Sequence, residues 1–384
     1  MKILTVFGTR PEAIKMAPVI KEAEATDGIE LSVCVTAQHR EMLDQVLNTF
    51  NIRVNTDLNI MMDDQDVYDV TTKALLGIRD VLRNELPDVV LVQGDTTTTL
   101  AAALAAFYAQ IPIGHIEAGL RTGDLKAPFP EEANRALVGR LADLHFVPTE
   151  RSKKNLLSEN VSQNKIFITG NTVIDALLMV RDKAVNKNPT LWREQFASAL
   201  PAIMDRSKRV ILVTGHRREN FGQGFLDICK ALSSVAKKYK NVEIIYPVHL
   251  NPNVQRPVRS ILNGHPNIHL IEPIDYEPFV YLMSRSYFIL TDSGGVQEEA
   301  PSLGKPVLVM RDVTERPEVV ESGNVKIVGT DCDRIISETK KLLEDKEIYK
   351  RMTNTSNPYG DGHAAERIVK ITKEFFKNQR AQLV

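Results

Sequence analysis

Short apolar, β-branched runs recur along the chain, with segments of helical character between them. The first set is Ile3–Phe7, Leu31–Val35, Val89–Val92, Ile111–Ile116, Leu144–Val147 and Ile166–Thr169. After a gap come Val210–Val213, Val242–Tyr246, Ile268–Ile271, Tyr287–Leu290, Val307–Met310 and Val325–Val328. Continuous apolar strands alternating with helices predict parallel sheets covered on both faces. Two sets of about six, parted near residues 170–209, predict an α/β chain of two doubly wound, Rossmann-like domains facing a cleft. The first domain is placed at residues 1–170 and the second at 171–362, with a final helix in 363–384. The stretch Asp182–Ser207, with two prolines and the only tryptophan, reads as a helix and linker after the crossover.

A length of 384 residues is too great for one ordinary core and agrees with two domains. Hydrophobic residues make up 43% and charged residues 25%, the balance of a soluble globular chain. Lys and Arg total 48 against 49 Asp and Glu, so the net charge of −1 suggests neither a nucleic acid nor a membrane surface as partner. Cys34, Cys229 and Cys332 are scattered and odd in number, which excludes a disulfide framework and a paired-cysteine metal knuckle. Met1-Lys2 runs straight into Ile3–Phe7, too short for a signal-peptide core. The longest apolar run, Leu100–Phe107, is far short of a membrane span. A cytoplasmic protein is the expectation.

Ligand groups in doubly wound folds sit at the carboxyl ends of strands. There the chain carries unusual chemistry. After Tyr287–Leu290 come Ser293, Gly294 and Gly295, then a helix expected from Val296 to about Leu303. Strand, glycine turn and helix start present backbone N–H groups and a positive dipole end to an anion. Glu299 lies four residues past Gly295 on the same face and suits a vicinal diol such as a ribose. The plainer alternative is a tight βα turn with a capping serine. Behind the first strand, Gly8 permits a tight turn and Pro11 fits the first helical position. Arg10 and Lys15 then lie near a helix N-terminus, where cations oppose the dipole unless an anion sits between them. Asp95 suits either a helix N-cap or a catalytic carboxylate. Glu117 ends an apolar strand with Gly119 close behind, an odd place for a carboxylate with only a structural task. Glu131 and Arg135 are i,i+4, either a helix salt bridge worth ~0.3–0.5 kcal/mol or a second carboxylate for chemistry. His216, Arg217 and Arg218 end the strand that opens the second set and can hold a diphosphate.

Absences narrow the chemistry. No G-x-G-x-x-G with a following acid is present, the nearest imitation, Gly222–Asp227, lacking its third glycine, so a nicotinamide is not expected. No Walker loop or nucleophile motif occurs. His265 and His269 have Pro266 between them, which argues against a helical metal pair. Neither a metal nor a cofactor is expected.

Seven runs carry a resemblance: residues 7–15 (FGTRPEAIK), 94–99 (GDTTTT), 115–121 (HIEAGLR), 130–135 (PEEANR), 216–220 (HRREN), 291–301 (TDSGGVQEEAP) and 357–362 (NPYGDG). In order, and from Met1 to about Lys373, the chain resembles the bacterial and archaeal non-hydrolysing UDP-N-acetylglucosamine 2-epimerases. The resemblance implies the two-domain glycosyltransferase-B architecture, with the C-terminal helix packed back on the first domain, and a homodimer. It implies interconversion of UDP-N-acetylglucosamine and UDP-N-acetylmannosamine for surface polysaccharide synthesis. It carries catalytic importance onto Asp95, Glu117, Glu131 and His216. Substrate contacts are carried onto Arg10, Lys15, Asp95, Glu117, Arg135, His216, Phe279 (by backbone at the uracil), Ser293, Gly294, Gly295, Glu299 and Arg316. Ile274 stands where relatives often have a glutamine. Some members are activated by a second UDP-N-acetylglucosamine, and Gln38, Glu132, Arg217 and His249 match parts of that site. Asp64 and Glu41 replace an arginine and a glutamine there, and two acids near a diphosphate weaken such a site.

The reaction suits these residues. C2–H of the sugar is not α to a carbonyl, so a base cannot remove it as an enolate. Expelling UDP from C1 builds oxocarbenium character, acidifies C2–H and allows elimination to a glycal. Re-addition with protonation from the other face gives the epimer. Arg10, His216, Ser293, Gly294 and Gly295 suit the leaving diphosphate; Asp95, Glu117 and Glu131 suit the proton transfers, with the face served by each left open. A hydrolysing relative and a glycosyltransferase of the same architecture are the alternatives. Domain closure about Gly170 and Asn357–Gly362 is a further expectation.

Overall fold

The computed structural model describes residues 1–37, 40–62, 64–183, 192, 194, 196, 205 and 207–382. The chain divides into two compact units. Met1–Ala176 and the chain from Tyr359 onward form the first, and Leu177–Pro358 the second. Most of the stretch read as helix and linker, 182–207, lies outside the described residues.

The first unit holds seven parallel strands: β1 (Lys2–Phe7), β2 (Glu30–Val35), β3 (Thr56–Asp57), β4 (Val89–Gln93), β5 (Ile113–Ile116), β6 (Leu144–Val147) and β7 (Ile166–Ile168). Their order is β3-β2-β1-β4-β5-β6-β7. Central strands lose both faces to packing, which is why they are apolar without alternation; Val6 pairs with Cys34 on one side and Val92 on the other. Strand β3 has no apolar run to betray it and joins the edge through Cys34↔Thr56. Strand β5 starts later than the apolar run at Ile111 because Pro112 has no N–H to give a ladder. Around the sheet stand α1 (Arg10–Ala25), α2 (Arg40–Thr49), α3 (Val67–Glu85), α4 (Thr97–Tyr108), α5 (Glu131–Leu141), α6 (Glu150–Ser158) and α7 (Thr172–Arg181). Helix α4 presents Ala101, Ala102 and Ala105 to Val90 and Val92, and Ile78 and Leu82 of α3 close the same core. The last helix, Ala364–Gln382, falls inside the segment 363–384 read as a final helix. It packs on α1, and its Ala365 N–H donates to Asp175 at 2.8 Å.

The second unit holds six parallel strands: β8 (Arg209–Thr214), β9 (Val242–Pro247), β10 (Ile268–Ile271), β11 (Phe288–Thr291), β12 (Val307–Val309) and β13 (Val325–Ile327). Their order is β10-β9-β8-β11-β12-β13. The helix expected after the glycine turn is shorter than its pattern suggests. Gly294–Glu299 is α-helical, and Ala300–Leu303 tightens to a 3₁₀ turn that ends at Gly304 in the left-handed region. Pro301 has no N–H for an α-helical bond, which explains the change. Among the described residues no helix is long and apolar enough to cross a membrane.

Each sheet reverses its winding once, between β1 and β4 in the first unit and between β8 and β11 in the second. At such a point the loops after neighbouring strands diverge and leave a crevice at the carboxyl ends. The motif residues fall mainly there.

Candidate active site

In the first unit, the turn after β1 and the turn after β4 are tied by one buried carboxylate. Glu12 accepts the Gly8 N–H at 3.0 Å, the Thr9 N–H at 2.7 Å, and hydroxyls of Thr96 and Thr99 at 2.6 and 3.0 Å. Burial pushes its pKa up and the hydrogen bonds pull against that. Arg10 starts α1 half-buried, with no ion-pair partner among the described residues. Pro11 takes the second helical position and not the first.

Glu117 is buried directly beyond β5 and adopts φ 62, a left-handed backbone that non-glycine residues rarely take. Gly119 follows at φ 85, where a Cβ would run into the Ser152 backbone. The turn aims the carboxylate at α1 and the end of β4: Oε2 of Glu117 accepts from Lys15 Nζ and from Gln93 Nε2, each at 2.5 Å. His115 supports the turn by donating from Nε2 to Gly94 O at 2.7 Å, and burial holds its pKa down to about 4, so the ring is neutral.

Asp95 is not the cap of α4. Thr96 is, accepting from Thr99 N–H at 3.2 Å, and the Asp95 carboxylate is paired with Arg135 instead. Arg135 also reaches Glu132 at 3.0 Å, and buried Glu132 takes the Thr122 and Gly123 N–H groups at 3.0 and 3.1 Å. The i,i+4 pair of Glu131 with Arg135 is therefore absent. Glu131 is half-buried and has no ion-pair or hydrogen-bond partner among the described residues.

In the second unit, Asp292 lies fully buried beneath two loops. Its Oδ2 accepts the His216 N–H at 2.8 Å, the Arg217 N–H at 2.9 Å and Asn220 Nδ2 at 3.2 Å. His216 stacks on exposed His249 with ring centroids 5.7 Å apart. Burial holds the His216 pKa below its usual value; Asp292 opposes that, while Arg217 and His249 add to it. The two glycines of the turn differ. A Cβ on Gly294 would stand 2.8 Å from the Arg316 guanidinium carbon, whereas Gly295 faces open space. Arg316 is held over Gly294 by buried Glu298 at 2.7 Å and by Glu315 at 3.2 Å. Glu299 is buried and accepts from Tyr276 at 3.4 Å. Phe279 is half-buried, and its backbone N–H is engaged with Asp275 O at 3.0 Å, so a backbone contact to a base has to use a helical group.

Of the residues matched to an activating site, Gln38 lies outside the described residues, Glu132 is taken up by Arg135 and the 122–123 backbone, and Asp64 is exposed. Glu12, Asp292 and Glu298 lie inside the seven runs but not among the predicted site residues, and Gln93 lies in none of them. The spacing Thr9-x-x-Glu12 is the signature of a capping box and marks Glu12; nothing local marks the others.

Two doubly wound parallel units with polar groups gathered at their switch points define an enzyme of glycosyltransferase-B architecture. A family model described as UDP-N-acetylglucosamine 2-epimerase matches residues 21–373, and the chain belongs to that family. It is 60% identical to the UDP-N-acetylglucosamine 2-epimerase of Yersinia pestis, over 97% of this chain and 98% of that protein. The enzyme of that name from Escherichia coli strain K12 is 58% identical over the whole of both chains. The crystal structure of UDP-GlcNAc 2-epimerase from Neisseria meningitidis bound to UDP-GlcNAc superposes with a TM-score of 0.88 at 54% identity, covering 97% of this chain and 100% of that one.

Proposed function

We propose that this chain interconverts UDP-N-acetylglucosamine and UDP-N-acetylmannosamine without hydrolysis. The observation that carries the chemistry is the first unit's carboxylate set: Glu117 and Asp95 just past strand ends and held by cations, and Glu131 at the start of α5 with no side-chain partner among the described residues. Family membership supplies the substrate. In the forward direction the C1–O bond breaks with its electron pair leaving on the diphosphate, and a carboxylate takes the C2 proton. A C1=C2 glycal and UDP remain. A proton is then returned to the other face of C2 while a diphosphate oxygen bonds to C1. Asp95, Glu117 and Glu131 are the proton-transfer groups. Arg10, Lys15 and Arg135 in the first unit, and His216, Phe279, Ser293, Gly294, Gly295, Glu299 and Arg316 in the second, are assigned to substrate and to the charge of departing UDP. The product feeds polysaccharide synthesis, and the enzyme works as a cytoplasmic homodimer, as its resemblance to the family supports.

Incubation with UDP-N-acetylglucosamine in heavy water tests the reading. The expected result is UDP-N-acetylmannosamine with deuterium at C2. Free N-acetylmannosamine would indicate a hydrolysing enzyme, and absence of both exchange and product would defeat the proposal.

A further inference from the structure

We propose that Asp292 is a positioning residue that sets the tautomer and charge of His216, so that His216 meets the diphosphate of its nucleotide sugar as an imidazolium. The ligand in this statement rests on the proposed function; the pairing rests on the second unit alone.

Asp292 spends one oxygen on scaffolding. Oδ2 takes the backbone N–H groups of His216 and Arg217 and the amide of Asn220. The other oxygen, Oδ1, is buried with no hydrogen-bond partner among the described residues, and His216 Nδ1 lies 3.4 Å from it. A buried carboxylate oxygen left unpaired is unfavourable. A proton on Nδ1 remedies this, whereas the tautomer protonated only at Nε2 would set a lone pair against the carboxylate. The Nδ1–H tautomer is therefore favoured, and Nε2 is free to gain a second proton.

The groups facing the ring explain why that proton waits for a ligand. Burial, Arg217 and His249 all disfavour the charged ring, and Asp292 alone among its neighbours favours it. A diphosphate adds negative charge on the side where Arg217 and His249 oppose protonation. The ring then gains its second proton, and the contact with Asp292 becomes an ion pair. As the C1–O bond breaks and charge grows on the diphosphate, an imidazolium anchored from behind stabilises it with little reorganisation.

Nitrogen-15 NMR of histidine-labelled protein, with His216 assigned through His216→Gln, tests this directly with UDP as probe. The substrate-free wild type is expected to show His216 neutral and protonated at Nδ1, and saturating UDP is expected to raise its pKa. An Nε2–H tautomer, or a titration that UDP leaves unmoved, overturns the proposal; the tautomer is the decisive reading, because diphosphate charge raises a neighbouring imidazole's pKa by itself, whereas a purely scaffolding Asp292 would not fix the proton on Nδ1. In Asp292→Asn the side-chain oxygen can still accept the two backbone N–H groups while its amide faces Nδ1. The tautomer should switch to Nε2–H, the UDP-linked protonation should weaken, and kcat/KM should fall about 100-fold. Should that variant fail to fold, the wild-type tautomer decides alone. Correct tautomer and linkage without epimerisation in heavy water would sink the functional reading and leave the His216–Asp292 pairing standing.

Discussion

Both switch points use buried carboxylates to hold loop backbone, Glu12 and Glu132 in the first and Asp292 in the second, but they differ in how the groups proposed for chemistry are themselves held. In the first unit the carboxylates proposed for chemistry are themselves gripped: Glu117 by Lys15 and Gln93, Asp95 by Arg135. In the second, buried carboxylates lie beneath the loops and grip the backbone or a cation, Asp292 under His216 and Arg217, Glu298 behind Arg316. The contrast matches what each half is asked to do. Proton transfer at carbon depends on a base held within tenths of an ångström. Retaining a leaving diphosphate depends on charge and on donors, which tolerate a looser fit.

The sharpest way to break this comparison is Glu117→Gln. The amide is nearly isosteric but cannot take a proton, so kcat should fall about 10²- to 10⁴-fold while UDP affinity, assigned to the other unit, stays unchanged. Steady-state rates with UDP calorimetry check it; loss of both together would erase the division of labour.

Acid should strike the first unit next. His115 and His145 face each other across β5 and β6, and burial holds their pKa values down to about 4 and about 3. The unfolded chain binds protons on both near pH 6.5 and the folded chain does not, so stability is complete above that pH and is lost as pH falls toward 4. The His115 share alone is on the order of 3 kcal/mol. Urea unfolding followed by amide protection of β4–β6 at pH 7 and pH 5 measures it, and His115→Gln should flatten the dependence.

Within the second unit, Gly294→Ala should displace the Arg316 guanidinium and weaken UDP binding about tenfold, the scale of one charged hydrogen bond. A Cβ on Gly295 meets no protein atom, so Gly295→Ala should cost less, any loss there coming from crowding of the nucleotide itself. Equal losses at both positions would show that close approach of the nucleotide, and not the Arg316 contact, is what the glycines supply.

The smallest effect is expected from Tyr276→Phe. Its 3.4 Å hydrogen bond to Glu299 is long, so its loss should cost about 0.5–1 kcal/mol in UDP affinity or in stability. Isothermal titration against the wild type resolves a change of that size.

Much of this molecule is set by local pattern. Twelve apolar runs marked twelve of the strands, because a strand buried on both faces must be apolar along its whole length. Strand β3 escaped because two residues at a sheet edge bury too little to leave a signature. The motif loops were legible for the same kind of reason: glycine, proline and strand-end carboxylates stand out from their immediate neighbours. Partner choice was not. Lys15 and Glu117 are 102 residues apart, Asp95 and Arg135 40, His216 and Asp292 76. Helical spacing pointed Arg135 at Glu131, yet the topology brings the β4 turn beside α5, and Arg135 turns to Asp95 and Glu132. Thr96 likewise takes the cap that Asp95 could have filled. The sequence by itself determined which side chains would stand at strand ends, since that follows from periodicity along the chain. Only the tertiary structure decided which carboxylates are held, which hold others and which, like Glu131, find no partner among the described residues, because those pairings depend on strand order.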